Sequence, residues 1–270
     1  MAASATVEAP VAHHFDNLRQ QQATIRFGMW VFLVTEVLFF AGVFVAYTAF
    51  RIWFPREFEA GSAVLNVGIA TVNTFLLLTS SMTITLGIRA CYVGDQAGLR
   101  RWLLATMILG AGFFLLKLRE YQLDYQEGLV PSSATTRVVV PGSNPRAPEY
   151  REVPEFVVHY RAAAEHVGYD VEGVNLVRVQ LFFIFYYAMT GLHMLHMTIG
   201  IGLLVWQVVL TSRGFFAYPQ RYIYVEVMSL YWHFVDMVWI FLFPLLYLAG
   251  PHNWGQVIEG LRQAFTFGGH

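Results

Sequence analysis

Apolar residues run in long, nearly unbroken blocks along this chain, divided by short polar stretches and one long one. Five blocks stand out: Phe27–Phe50, Val64–Ile88, Trp102–Leu118, Gln180–Leu210 and Tyr222–Leu248. A helix needs about 20 mostly apolar residues to cross a hydrocarbon core of roughly 30 Å, so each block predicts a membrane span. The third is the shortest. Lys117, Arg119 and Glu120 crowd its end, and the expectation is that this charged end reaches the interface by snorkelling. The predicted fold class is all-α: a polytopic membrane helix bundle with five transmembrane helices, forming a single membrane domain over residues 1–270.

Composition agrees with that pattern. The 270 residues are 56% hydrophobic and 13% charged, whereas soluble domains are closer to a quarter charged. The net charge of -1 suggests no nucleic-acid partner. The single cysteine, Cys91, forms neither an internal disulfide nor a thiolate metal site. The residues before Phe27 are polar, with Glu8 and Asp16, and read as no signal peptide; the first span would be its own insertion signal. Arginines in short loops set the orientation. With the N-terminus cytoplasmic, Arg19, Arg26, Arg89, Arg100, Arg101, Arg213 and Arg221 lie inside, and Arg51, Arg56 and Arg262 outside. The C-terminus is then outside, as is the long connection 121–179.

That connection holds the patch Pro141-Gly142-Ser143-Asn144-Pro145-Arg146-Ala147-Pro148, read as irregular. Phe156–His166 is a candidate short helix. In the tail, Val257, Leu261 and Phe265 recur at helical spacing and suggest a surface helix.

Ionisable residues inside the spans are costly and mark buried partners or function. Glu36 follows Arg26 by ten residues, about 15 Å along a helix, among Trp30, Phe32, Leu33, Phe39 and Phe40. It reads either as a neutral, hydrogen-bonded acid locking helices together or as a proton-exchanging or lipid-headgroup site. His193 and His196 are three apart and share a helix face, a spacing that His233 and Asp236 repeat on the last span. Histidines on facing helices could hold a haem iron, but His193 is followed by bulky Met194, Leu195 and Met197. An interhelical cluster of imidazoles and carboxylates is the favoured reading. The second span carries Asn66, Thr71, Asn73, Thr74, Thr79, Ser80, Ser81, Thr83 and Thr85, small polar residues that suit a bundle-interior helix. Trp30, Trp53, Trp102, Trp206 and Trp232 fall near span ends and read as interfacial anchors.

Taken together, the motifs resemble subunit III of haem–copper oxidases. "RFGMWVFLVTEVLFFAGVFVAY" is similar to that family's helix with a central acid, placing Glu36. "LLKLREYQ" resembles a segment ending in Glu-Tyr, placing Glu120 and Tyr121. "TGLHMLHMTIG" resembles a Gly-x-His-x-x-His helix, placing His193 and His196. "VEVMSLYWHFVDMVWIFLFPLLY" resembles the final helix, with Glu226 seven residues before His233. The motifs follow family order over Arg26–Tyr247.

The resemblance implies a subunit without catalytic or redox centre. Haem and copper would reside in partner subunits I and II. This chain would pack on subunit I, bind phospholipid in a cleft, and support proton uptake while the complex reduces oxygen to water in a bacterial inner membrane. Glu36, Glu120, His193, His196, Glu226, His233, Asp236 and Arg213 are the candidates for a buried polar cluster or for proton- or lipid-linked roles. The longest family members have seven spans, and this chain resembles five-span forms lacking the first two, which form one wall of the lipid cleft. The long connection also looks longer than usual, and would contact subunit II, a cytochrome c donor or another respiratory complex. Other readings are a quinol oxidase subunit III, a nitric oxide reductase accessory protein, a membrane b-type cytochrome using His193 or His196 with His233, and a proton-conducting transporter using Glu36, Glu226 and Asp236.

Overall fold

A computed structural model describes residues 11, 15–139, 149–217, 221–252 and 254–265. Helices dominate: α1 (Leu18–Trp53), α2 (Pro55–Ala63), α3 (Val67–Tyr92), α4 (Gln96–Gln126), α5 (Glu155–His166), α6 (Leu176–Ser212), α7 (Tyr222–Tyr247) and α8 (Trp254–Phe265). Five of them, α1, α3, α4, α6 and α7, are long and apolar enough to cross a membrane. The chain is thus an all-α, five-span membrane helix bundle. α1, α4 and α6 outrun their apolar blocks at both ends, whereas α3 begins inside its block, at Val67, and α7 ends at Tyr247, just short of its block's end.

Local chemistry sets the helix ends. Pro55 lacks an N–H and opens α2 at its first turn, where no intrahelical donor is needed. Asn66 Oδ1 accepts from Ile69 N at 3.0 Å and caps α3. Asp95 Oδ1 accepts from Gly98 N at 2.8 Å and caps α4, just after Gly94 turns the chain at φ 76°. Between α4 and α5, strands β1 (Thr135–Val139) and β2 (Tyr150–Pro154) form an antiparallel hairpin that pairs Arg137 with Glu152. The sequence reading did not anticipate this hairpin; its Pro/Gly patch at 141–148 lies outside the described residues. The short helix expected at Phe156–His166 is α5, and the tail helix is α8.

The helices contribute to two compact units. The first comprises Met1–Val43, Asn73–Phe114 and Leu192–Ile240; the second comprises Phe44–Val72, Leu115–Gly191 and Phe241–His270. In the first unit the core includes Leu33, Phe40, Leu77, Leu103, Phe113, Met197, Trp232 and Trp239. Hydroxyls of α3 are used in two ways. Thr71 (in the second unit), Thr79 and Thr85 return their hydroxyls to their own helix four residues back. Within the first unit, Ser80 Oγ and Thr74 Oγ1 accept from the indole nitrogens of Trp232 and Trp239, each at 3.0 Å.

Trp232 therefore corrects the sequence reading. Trp30, Trp53, Trp102 and Trp206 are exposed, but Trp232 is fully buried and is not an interfacial anchor. Its ring is nested between α4 and α6: a Cβ on Gly110 would lie 2.7 Å from Trp232 Cη2, and one on Gly200 would lie 3.1 Å from Cζ3. Helix association in lipid relies on such close packing, because burial of apolar surface gains little there.

In the second unit α5 is held by aromatic packing. Tyr160 donates to Ala60 O at 2.8 Å, and Phe156 meets Phe183 edge-on at 5.4 Å. Burial pushes the Tyr160 hydroxyl above the ordinary tyrosine range. Gly110→Ala is expected to destabilise the fold by about 1–3 kcal/mol, because the held indole cannot move aside; thermal unfolding of the purified protein checks this, and an unchanged midpoint would refute the nesting.

Candidate functional site

The first unit holds three polar arrangements. Near the midpoint of α1, Glu36 Oε2 lies 2.9 Å from His196 Nε2, while His196 Nδ1 lies 2.8 Å from Leu192 O. A carbonyl oxygen only accepts, so Nδ1 carries a hydrogen. Nε2 then either accepts from a protonated Glu36 or, as part of an imidazolium, donates to a carboxylate. In both forms the pair shares one extra proton and has no net charge. Phe40 covers the imidazole at 5.1 Å between ring centres.

The second arrangement is a fork. Arg26 donates from Nε to Glu226 Oε1 and from Nη2 to Glu226 Oε2, both at 2.9 Å, and from Nη2 to Tyr222 OH at 3.0 Å. The bidentate geometry fixes orientation, although both side chains are partly exposed. Glu226 therefore belongs with Arg26.

The third surrounds the histidine and acid of α7. His233 Nδ1 is 2.7 Å from Ser81 Oγ and Nε2 is 3.4 Å from Thr85 Oγ1. Asp236 is buried, and neither of its oxygens has a hydrogen-bond partner among the described residues, with Ser81 a polar neighbour. His193 is fully buried, its ring 5.4 Å from Phe113 and 5.2 Å from Trp239. The eight candidates thus do not form one cluster. Glu36 joins His196, Glu226 joins Arg26, and His233 joins α3. Arg213 is exposed just past the end of α6. Both ring nitrogens of His196 and His233 face protein hydrogen-bonding groups. Among the described residues, no group of three or more His, Cys, Asp or Glu could hold a metal ion.

Glu120 lies in the second unit, in a network that sequence reasoning largely missed. Lys117 Nζ is 3.1 Å from Glu120 Oε2, and both side chains are fully or almost fully buried. Lys117 also donates to Tyr186 OH at 3.0 Å and to Tyr247 OH. Tyr247 OH lies 2.6 Å from Glu120 Oε1, and Tyr186 OH lies 2.8 Å from Glu120 Oε1 and 3.1 Å from Asp124 Oδ2. The snorkelling expected of Lys117 is corrected: Glu120, one turn on, and the two tyrosine hydroxyls satisfy its ammonium inside the protein. Lys117, Glu120 and Asp124 sit at i, i+3 and i+7, one face of a helix. That spacing was the signal available to find them.

A cavity of about 700 Å³ adjoins this network. Glu120, Asp124, Ala63 and Leu65 are its buried lining; Gln126, Glu127, His159 and His166 are exposed at its rim.

A five-span bundle in which Glu36 pairs with His196, Arg26 with Glu226 and Lys117 with Glu120 is built as a membrane protein. The chain belongs to the cytochrome c oxidase subunit III family, whose model matches residues 7–126 and 165–251. It is similar to cytochrome c oxidase subunit 3 of Thermostichus vulcanus, 31% identical over 222 residues that make up 82% of this chain and 85% of the relative. A probable cytochrome c oxidase subunit 3 of Mycobacterium tuberculosis H37Rv is 30% identical over 221 residues, with the same coverages of 82% and 85%. Subunit 3 of the cytochrome bo(3) ubiquinol oxidase of Pseudomonas aeruginosa is 26% identical over 244 residues, 89% of this chain and 92% of the relative. The chain is accordingly a multi-pass protein of a bacterial inner membrane, a subunit of a respiratory terminal oxidase without a catalytic centre of its own. The family implies association with oxidase subunits I and II. The unmatched stretch between the two blocks contains the hairpin and nearly all of α5.

Replacing Lys117 with Met leaves Glu120 without its cation. The expected cost is about 3–5 kcal/mol, as for breaking a buried ion pair from one side. Adding Glu120→Gln to Lys117→Met should recover part of that loss, and denaturant unfolding of the single and double variants measures it. A double variant no more stable than Lys117→Met would refute the pairing.

Proposed function

We propose that this chain is subunit III of an oxidase that takes electrons from cytochrome c, packing against subunit I, binding phospholipid and supporting proton uptake during oxygen reduction. The observation that carries this is the Glu36–His196 pair. A shared proton held by a half-buried pair near the midpoint of a spanning helix suits a group that exchanges protons without moving net charge. Glu36, His196 and Glu120 are the proton-linked residues in this reading; His193, Glu226, His233 and Asp236 serve packing between helices, and Arg213, exposed beside a helix end, suits a lipid phosphate. The arginine distribution supports a cytoplasmic N-terminus and an outer C-terminus. Residues 121–179 then lie outside, where they would meet subunit II, the cytochrome c donor or another respiratory complex. The chain acts as one membrane domain.

A quinol donor is the second reading, favoured by the 89% coverage of this chain in the match to the Pseudomonas aeruginosa ubiquinol oxidase subunit. The higher identity of 31% to the Thermostichus vulcanus subunit favours cytochrome c. Copper-binding cysteines in the partner subunit II decide between them.

Affinity purification of the chain from its native membrane should bring down subunits carrying haem and copper, while the separately purified chain should lack a haem spectrum. Glu36→Gln should leave oxygen reduction present but alter its alkaline pH profile or its durability over long turnover. If neither changes, Glu36 has no part in proton handling.

A further inference from the structure

We propose that Asp124 is a proton-exchange site, loaded from water in the cavity between the α2–α3 junction, the end of α4, α5 and α8. This goes beyond the role assigned to Glu36 and stands on the geometry of the second unit alone.

The hydrogens of this network can be counted. Three oxygen–oxygen contacts at hydrogen-bond distance link the phenols and carboxyls: Tyr247–Glu120 at 2.6 Å, Tyr186–Glu120 at 2.8 Å and Tyr186–Asp124 at 3.1 Å. Each needs a hydrogen between the two oxygens, since two lone pairs facing each other at that distance repel. The two tyrosines supply two. The hydrogens of Lys117 point from nitrogen to oxygen and do not enter these contacts. One Tyr186 hydrogen divided between two carboxyls fills both contacts poorly, whereas a third hydrogen on a carboxyl group fills all three.

The surroundings select the carboxyl. Glu120 has the Lys117 ammonium 3.1 Å from Oε2 as an ion-pair partner and two phenols donating to Oε1, surroundings that suit a carboxylate. Asp124 meets the Tyr186 hydroxyl at 3.1 Å, the longer of that hydroxyl's two carboxyl contacts, and the Tyr187 hydroxyl lies beside it; it lacks the close ammonium contact that Glu120 has. Asp124 then donates its own hydrogen to Tyr186 oxygen. Lys117 and Glu120 cancel, a neutral Asp124 adds nothing, and the buried network has no net charge.

Exchange needs a route, and Asp124 lines the cavity. A space of this size lined by carboxylates, imidazoles and Asn66 holds water. The hydrogen passes from the Asp124 carboxyl to a cavity water, leaving a carboxylate and a hydronium, and returns by the reverse step. The groups facing Asp124 are Lys117, Glu120 and Tyr121 of α4, Glu127 just beyond it, Tyr186 and Tyr187 of α6, and Tyr247 of α7. His159 and His166 of α5 line the cavity; among the described residues, the α2–α3 junction and α8 add Ala63, Val64, Leu65, Asn66, Gly255 and Gly260, none of them titratable. The two histidines at the rim are placed to relay the proton to solvent.

Infrared pH-difference spectroscopy of the intact purified complex tests this. The wild type should show a carboxylic acid C=O stretch that shifts in D₂O and on labelling aspartate side-chain carboxyls with carbon-13. The band should be lost in Asp124→Asn and kept in Asp236→Asn. Ala163→Phe, which fills the cavity, should keep the band but slow its hydrogen–deuterium exchange at least tenfold. Where Asp124→Asn does not assemble, Asp124→Glu in aspartate-labelled complex should abolish the label-induced shift. A wild-type complex without such a band, or a band that survives loss of Asp124, overturns the site; exchange unaffected by Ala163→Phe overturns the route. Assembly with haem-bearing subunits and oxygen reduction are read separately in the same preparations, so a wrong oxidase assignment is distinguished from a wrong proton site.

Discussion

Charge placed among apolar helices must be cancelled within a few ångströms, and this requirement shapes the molecule. Desolvating an ion costs several kcal/mol unless a partner of opposite sign and further hydrogen bonds compensate. The chain meets it with short-range pairs: Glu36 with His196, Arg26 with Glu226, and Lys117 with Glu120. In each pair the partners come from different spans or from adjacent turns of one helix. The pairs that join different spans, Glu36–His196 and Arg26–Glu226, therefore fix which helices face each other and in what register, a specificity that apolar contact in lipid does not supply.

How much of this was legible in the sequence depends on the range of the signal. The five spans were plain because apolar runs are local, and α5 and the tail helix were found from short patterns. The hairpin was not, since Thr135–Val139 and Tyr150–Pro154 are short and mostly exposed, with no apolar alternation to mark them. The pairing of Arg26 with Glu226 spans two hundred residues of chain, and nothing local announces it. Lys117 is a different case. Its spacing to Glu120 and Asp124 was visible, yet a lysine near the end of a short apolar block also fits snorkelling. Only the tyrosines of α6 and α7, brought in by tertiary packing, decide between the two.

The same reasoning explains why His193, His196, His233 and Asp236, so alike in spacing, have unlike surroundings. His196 meets an acid, His233 meets hydroxyls, and His193 is enclosed by aromatic rings. Spacing on one helix shows which residues share a face. What they meet there is set by the residues of other helices.

The indole of Trp232, seated against Gly110 of α4 and Gly200 of α6, acts as a cog between three helices. A helix in lipid slides along or rotates about its neighbours at little cost when only smooth side chains touch. Here a rigid bicyclic ring engages two notches, so α7 cannot shift axially past α4 or α6 without unseating it. Strain arriving at one of these helices is handed to the other two as a common displacement, which makes this part of the subunit a stiff strut.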